Sequence, residues 1–188
     1  MILSDSQIKK EIENGDLGVT GVEKVYIGSN SIDLHLDNKA MILYRDPLDE
    51  MITIRMDEDK EHFREFNGWK EITIHPGDFY ILHTKEKLTF PDDIAGFVQG
   101  RSSIARMGIS VECAGFVDSG FEGTITLEVT NFTSHPIVIP AHTRICQIVF
   151  HRVEGKVEVD YKQKKDSKYF GQDVPKTSRG YKDYAKNN

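Results

Sequence analysis

The sequence is poor in several features that would narrow its chemistry quickly. It holds only two cysteines, Cys113 and Cys146, in 188 residues. With no C-x-x-C pair, neither a disulfide framework nor a structural zinc site is indicated. No apolar run reaches the ~18 residues that a membrane helix needs. The opening Met1-Ile-Leu-Ser-Asp is too short and too polar for a signal peptide, so a cytoplasmic protein without membrane contact is the expectation. Basic charge is also in deficit, 24 Lys and Arg against 30 Asp and Glu, for a net −6. Proteins that grip nucleic acid by its phosphates usually have the opposite bias, so no nucleic-acid partner is expected. The H-x-E and P-C-x-x-C elements of zinc nucleobase deaminases are missing, as are a Walker loop and a G-x-S-x-G elbow. His35, His75, His83, His135, His142 and His151 are scattered without metal-ligand spacing and read as surface or strand residues. Cys146, inside Ile145-Cys-Gln-Ile-Val-Phe150, reads as a small buried residue.

What is present is enough for one domain: the chain is 38% hydrophobic and 29% charged. Charge is unevenly divided. Residues 161–188 carry eight Lys and Arg and three Asp, leaving −11 for the first 160. This divides the chain into a body, 1–160, and a basic tail, 161–188. A basic tail on an acidic body suits a small polyanion. Apolar periodicity fades in the tail, which must lie on the body or close over something.

A helix is expected to start after Ser4, an N-cap with Gln7 as its capping-box partner and with Leu3 and Ile8 as a hydrophobic staple. Asn14-Gly15 should stop it. From there the period drops to two. Ser31–Leu36 alternates strictly, and short runs follow at Ala40–Tyr44, Met51–Arg55, Glu71–Ile74, Phe79–His83, Ala95–Gln99, Gly123–Asn131, Pro136–Ile139 and Arg144–Val153. Turn signals separate many of them, which predicts an all-β sandwich or barrel. The charged stretch Asp57–Phe66 reads as a short helix or a loop.

Three segments depart from this pattern. In Gln99-Gly-Arg-Ser-Ser-Ile-Ala-Arg106 a strand meets a glycine and then two serines before a helix-capable stretch, Ile104–Met107. Such a turn either cradles an anion or is a plain helix start with solvated arginines. In Ala114–Glu128, Gly115, Gly120 and Gly123 suggest a hairpin whose backbone bends sharply or approaches something flat. Thr124, Thr126, Glu128 and Thr130 then share one strand face. Glu128 is solvated if that face is open, or a general acid–base with a raised pKa if it lines a pocket. Tyr161…Lys168-Tyr-Phe-Gly-Gln172, followed by Thr177-Ser-Arg179, mixes aromatic, cationic and amide groups, as either a solubilising end or a lid over a phosphate chain.

Taken together, Gly100–Arg106, Ala114–Asp118, Gly120–Gly123, Thr126–Glu128, Arg144–Gln147 and Lys168–Gln172 resemble the dCTP deaminases, relatives of the trimeric dUTPases, in order and rough spacing. Met1–Asp5 and Ser31–Leu36 are similar too, so the resemblance spans nearly the whole chain. It implies a mainly β fold, the dUTPase-like distorted β-barrel of jelly-roll type with a few short helices. It further implies a homotrimer with shared active sites, and hydrolysis of dCTP to dUTP and ammonia without zinc. Magnesium is expected on the triphosphate, and dTTP is a candidate inhibitor. By position, Glu128 matches the catalytic glutamate. Ser102 and the backbone at Ala114 match groups that hold the attacking water, and Arg106 matches the arginine beside the glutamate. Thr126 and Leu127 match positions that meet the pyrimidine, and Phe121 an aromatic ring against the deoxyribose. Arg101, Ser103, Tyr161, Lys168 and Gln172 match nucleotide and triphosphate contacts, with Ile104 and Ala105 in the same turn.

The family contains members that release dUTP and bifunctional members that continue to dUMP and pyrophosphate. Asp118 and Gln147 resemble the bifunctional branch, whereas Ala105 resembles the monofunctional one, and Ser119 replaces the usual proline after the aspartate. Deamination to dUTP is the main expectation and bifunctionality the open alternative. A dUTPase without deaminase activity lacks its glycine-rich terminal motif here. A non-catalytic nucleotide-binding regulator would not need the Ser102, Arg106 and Glu128 set.

Overall fold

The computed structural model describes residues 1–43, 53–59, 62–112, 114–155 and 157–184. Helix α1 (Asp5–Asn14) begins as its sequence dictates. The Ser4 hydroxyl accepts from the Gln7 N–H, and the Gln7 side chain accepts from the Ser4 N–H. Gly15, at φ +80°, closes the helix by donating to the Ile12 carbonyl. Leu3 and Ile8 are both buried, and the Leu3 N–H donates to Phe150, which ties the helix to the body.

The strands are short and antiparallel. They are β1 (Gly18–Thr20), β2 (Tyr26–Ile27), β3 (Ser31–His35), β4 (Lys39–Leu43), β5 (Phe63–Asn67), β6 (Glu71–Ile74) and β7 (Phe79–Thr89). There follow β8 (Ile94–Gly100), the four-residue helix α2 (Ser102–Ala105), β9 (Ile109–Glu112), β10 (Phe116–Val117), β11 (Glu122–Asn131), β12 (Ile137–Pro140) and β13 (Arg144–Arg152). One sheet runs β5-β4-β7-β11-β9, with β1 also on β7; the other runs β10-β8-β13-β3-β2; β12 and β6 form a separate pair. The strands thus close as two main sheets joined at the Leu36–Thr84 bridge, a jelly-roll-like variant of the expected barrel. Between them lie Ile32, Leu34, Leu82, Leu127, Val129, Ile148 and Phe150, all with essentially no exposure.

Several expectations need correction. Within Asp57–Phe66, Lys60 and Glu61 lie outside the described residues, and from Phe63 onward the chain is strand β5, paired with β4, where a helix or loop was expected. The charged side chains of β5 face solvent at a sheet edge, which hides its strand character from a hydrophobic pattern. Of Met51–Arg55, Met51 and Ile52 lie outside the described residues, and the remaining three are in no strand. Tyr44 and Cys113 also lie outside them. The short helix starts at Ser102, two residues before the expected Ile104, with Arg101 and not a serine at its N-cap. Strands β1, β2, β9 and β10 were not foreseen; each is four residues or fewer, too short for alternation to register.

Asn131 locks the end of β11. Its amide N–H groups donate to the carbonyls of Ile74 (2.8 Å) and His135 (2.7 Å), and its side-chain oxygen accepts from the N–H and hydroxyl of Thr133. The residue is almost fully buried. Asn131→Asp keeps the shape but turns a donor pair into a carboxylate facing two carbonyls. The expected loss at neutral pH is roughly 1–3 kcal/mol of unfolding free energy, read by urea denaturation; a change below about 0.5 kcal/mol would refute the assigned role.

Candidate active site

The chain passes from β8 through α2 to β9, and this route sets the Gly100–Arg106 turn. Ser102, Ser103, Ala105 and Arg106 are exposed in the single chain, whereas Ile104 is buried and anchors the turn. Ile104 can therefore offer a ligand only backbone groups. Arg101 is held from behind. Its Nη2 lies 3.2 Å from Asp33 Oδ2, and its Nη1 donates to the Arg144 carbonyl at 3.1 Å. Arg144 reaches the same Asp33 oxygen at 3.2 Å and lies over the Tyr26 ring. Gln147 sits opposite Asp33 across the β13–β3 ladder and accepts from the Ser31 hydroxyl at 3.3 Å. Arg101 and Gln147 thus share one polar patch organised by Asp33, a residue that sequence reasoning did not single out. Its signal was the polar half of the Ser31–Leu36 alternation, where Ser31, Asp33 and His35 share a face.

The second group lies on β11. Glu128 is half-buried in mid-strand, opposite Ile81 of β7 on one side and Glu112 of β9 on the other. Thr126 and Thr130 share its face, while Leu127 and Val129 point into the core with no exposure. Leu127, like Ile104, has only backbone to present. Ala114 is exposed just beyond β9, the strand that delivers Glu112 beside Glu128. The end of the Ser102 turn is fixed to the far end of β11, because the Phe132 N–H donates to Gly108 at 2.9 Å.

The expected threonine face is kept, and the pairing beside it is irregular at one point. The β11–β7 register shifts between Thr124 and Thr126, where Thr84, Lys85 and Glu86 of β7 stand opposite Ile125, whose N–H donates to the buried Thr84 hydroxyl at 2.9 Å. Thr124 and Thr126 stay on one face, where Gln172 meets both hydroxyls. The predicted close approach at Gly123 occurs here, and the partner is the tail. Gly123, at φ +146°, forms a parallel bridge with Gln172, and a Cβ at Gly123 would meet the Gln172 carbonyl at 2.7 Å. The tail therefore packs on the body. The Thr124 N–H donates to Gln172 (2.8 Å), the Gly171 N–H to Glu122 (2.8 Å), and Gln172 Nε2 to the Thr124 carbonyl (2.8 Å) and the Thr126 hydroxyl (3.1 Å). Gln172 and Thr126, two predicted nucleotide contacts, are brought together in this way.

Phe121 is buried between Phe90 and Tyr161, with ring centroids 6.5 and 5.8 Å away. The Tyr161 N–H is bonded to the Ser119 carbonyl, and its hydroxyl accepts from the Tyr169 N–H. Asp118 and Ser119 border a cleft of about 280 Å³ whose other side carries Phe116, Tyr161 and Lys164. Lys168 does not point freely outward, since it pairs with Asp183 while its carbonyl accepts from Arg179. Among the described residues no cluster of three His, Cys, Asp or Glu side chains is arranged to hold a metal ion.

The sequence reading also passed over His83. It lies fully buried on β7 opposite Thr126, with Nδ1 3.3 Å from the Thr124 hydroxyl and Nε2 3.3 Å from Asp37 Oδ2. The second contact is too poorly aligned to be a hydrogen bond. Burial pushes the imidazole down to about 4, against the opposing pull of Asp37.

Comparison with known proteins agrees with these motifs. A family model described as dCTP deaminase-like matches residues 2–153. The protein named dCTP deaminase, dUMP-forming, of Methanothermobacter thermautotrophicus is 37% identical over 190 residues, covering 97% of this chain and 95% of its own. The protein of the same name from Mycolicibacterium vanbaalenii is 34% identical over the full length of both. Among solved structures, the 2′-deoxycytidine 5′-triphosphate deaminase of Agrobacterium tumefaciens superimposes with a TM-score of 0.62 at 23% identity. That match covers 81% of this chain and 48% of the other, and speaks to the fold alone. With most of its length matched by the family model and by relatives more than 30% identical, this chain belongs to the dCTP deaminase-like family.

Proposed function

We propose that this protein is a cytoplasmic dCTP deaminase that carries its substrate through to dUMP, consuming dCTP and two waters and releasing ammonia, dUMP and pyrophosphate. The main expectation from sequence, release of dUTP, gives way to the bifunctional alternative. The observation that carries this reading is the name shared by the similar full-length relatives, dCTP deaminase, dUMP-forming. Asp118, in the turn that carries the chain from β10 in one sheet to β11 in the other, and Gln147 beside Asp33 are the residues here that fit the second hydrolysis.

Deamination assigns Glu128 two proton relays. It takes a proton from the water that attacks the pyrimidine C4 and gives it to the ring nitrogen, then takes the proton of the resulting C4 hydroxyl and gives it to the amine, which leaves as ammonia. Its half-buried position in mid-strand, between the ladders to β7 and β9, fixes the carboxylate for both relays. The Ser102 hydroxyl and the Ala114 backbone hold the water, and Arg106 lies beside the carboxylate. Thr126, the Leu127 backbone and Gln172 meet the base, and Phe121 closes off the sugar. Arg101, Ser103, Tyr161 and Lys168 face the triphosphate, with the Ile104 and Ala105 backbone alongside. The triphosphate brings magnesium as its counter-ion, which offsets charge on the leaving pyrophosphate. Asp118 then orients the water that attacks the α-phosphorus.

A homotrimer with sites shared between subunits fits the exposure of the catalytic turn. Ser102, Ser103 and Arg106 are open in the single chain, and Met107, Phe116 and Phe132, at 54%, 53% and 74% exposure, surround that region with apolar surface that a second copy would cover.

Glu128→Gln is nearly isosteric and is expected to lower ammonia release from dCTP by 10³-fold or more while leaving nucleotide affinity within a few-fold; retained turnover would show that another group is the base. Chromatography of the products separates the two hydrolyses. The wild type should yield dUMP and pyrophosphate from dCTP, whereas Asp118→Asn should accumulate dUTP. Accumulation of dUTP by the wild type would rule out the bifunctional reading.

A further inference from the structure

The register shift between β7 and β11 and the docked tail meet at one buried ring. His83 touches Thr124 through Nδ1, and the Thr124 hydroxyl also lies 3.4 Å from the Gln172 carbonyl as a donor. A hydroxyl has one proton, so when it donates to Gln172 the Nδ1 of His83 carries the hydrogen and gives it to Thr124. The chain of contacts therefore runs His83, Thr124, Gln172, Thr126, from the core to two residues of the proposed nucleotide site. At the other side of the ring, Nε2 is buried without a hydrogen-bond partner, 3.3 Å from Asp37 and out of line with it. The Gln172 carbonyl oxygen of the side chain is likewise buried and unpaired.

We infer that His83 is a positioning residue: its imidazole, with one proton only, seats Thr124 and through it the Gln172 segment, so that the Thr126–Gln172 wall of the nucleotide site is set only while His83 is uncharged. This rests on the proposed dCTP site for its consequence in catalysis, though not for the docking itself. A second proton at Nε2 would place a full charge in a ring with no exposure. The charged groups facing it are Asp37, just before β4, Lys39 of β4, and Asp173 of the tail; β11 presents hydroxyls. Asp37 Oδ1 is already occupied by the Asn38 N–H, and alignment of Oδ2 with Nε2 requires the ring or the carboxylate to shift. Release of the tail is the movement that lets the charged ring reach water with the rest of the fold intact.

The sign follows from the two states. With the tail docked, the ring titrates near 4; with it released, near the ordinary value of 6.5. Docking is at full strength above 6.5 and is lost progressively as pH falls toward 4, by about tenfold at pH 5.5.

Two readouts test this. In the nucleotide-free protein, the exchange protection of the Thr124 and Gly171 amides, corrected for intrinsic rates, should drop about tenfold between pH 7.5 and 5.5, with Ile148 in β13 as an unchanged internal reference. His83→Asn keeps a donor near the Nδ1 position but does not titrate in this range, and should hold the pH 7.5 protection throughout. If the wild type shows no drop, or if the Asn variant drops equally, the inference is wrong; the wild-type series decides even should the variant not fold. The second readout is KM for dCTP, taken as the ratio of wild type to His83→Asn at each pH, which cancels titration of the substrate and of Glu128. The ratio should rise in step with loss of protection while the kcat ratio stays near constant. A flat KM ratio beside a clear change in exchange would overturn the positioning role, and failure of both enzymes to turn over dCTP would instead count against the proposed reaction.

Discussion

The antiparallel pairing of β7 with β11 is the contact on which the rest of the molecule depends. β11 takes β7 on one edge and β9 on the other, so Glu128 is held by ladders on both sides and cannot swing as a loop residue would. The same pairing contains the bulge opposite Ile125, whose N–H is taken by the buried Thr84 hydroxyl. A bulge re-aims the side chains around it. Here the extra residues stand on β7, and His83, at the edge of the irregularity, meets Thr124 while Gln172 of the tail meets the hydroxyls of both Thr124 and Thr126, which connects the tail to the core.

A second organising element lies across the sandwich. Asp33 forms ion pairs with both Arg101 and Arg144, and its neighbour along the same face, His35, is gripped by Glu86 through ring and backbone. Two arginines kept within reach of one carboxylate stay soluble and oriented in the absence of a ligand, yet one acidic group cannot neutralise both. In the proposed function the remaining positive charge, at the strand-to-turn junction of Arg101, is what a phosphate would meet.

How much of this was legible in advance follows from what kind of signal each residue leaves. The helix at the N-terminus was readable because Ser4, Gln7, Leu3, Ile8 and Gly15 each occupy a position with one physical use, and all take it. The long strands were readable because burial of one face imposes alternation. β5 was not, because its side chains stand exposed at an edge and carry charge. The glycines at 120 and 123 announced a close approach but not its partner, and the hairpin expected with them does not form, since β10 and β11 lie in different sheets; only the fold reveals that Gln172, nearly fifty positions later, lies against Gly123. Asp33 and His83 were visible as polar residues in alternating strands and still could not be ranked, since a strand polar residue looks alike whether it meets water, a ligand or another side chain. His83 in particular takes its meaning from Thr124 and the tail docked against it, which no pattern local to β7 records.

The tail shows why a basic, weakly periodic segment need not be a solvated end. Its own apolar content cannot form a core, but it borrows one: Tyr161 covers Phe121, Gln172 fills the space left by Gly123, and Tyr169 accepts from the Arg179 N–H. Only a few backbone bonds, at Glu122 and Thr124, fasten the stretch around Gln172 to β11. Few attachments mean that this stretch can open at a cost well below that of global unfolding, while the aromatic packing at Tyr161 keeps its near end in place. Lys168 and Arg179 are meanwhile paired or bonded within the tail itself. In the proposed function an incoming triphosphate competes with Asp183 for Lys168, so a docked tail and a bound polyanion would each reorganise the charge that the other meets.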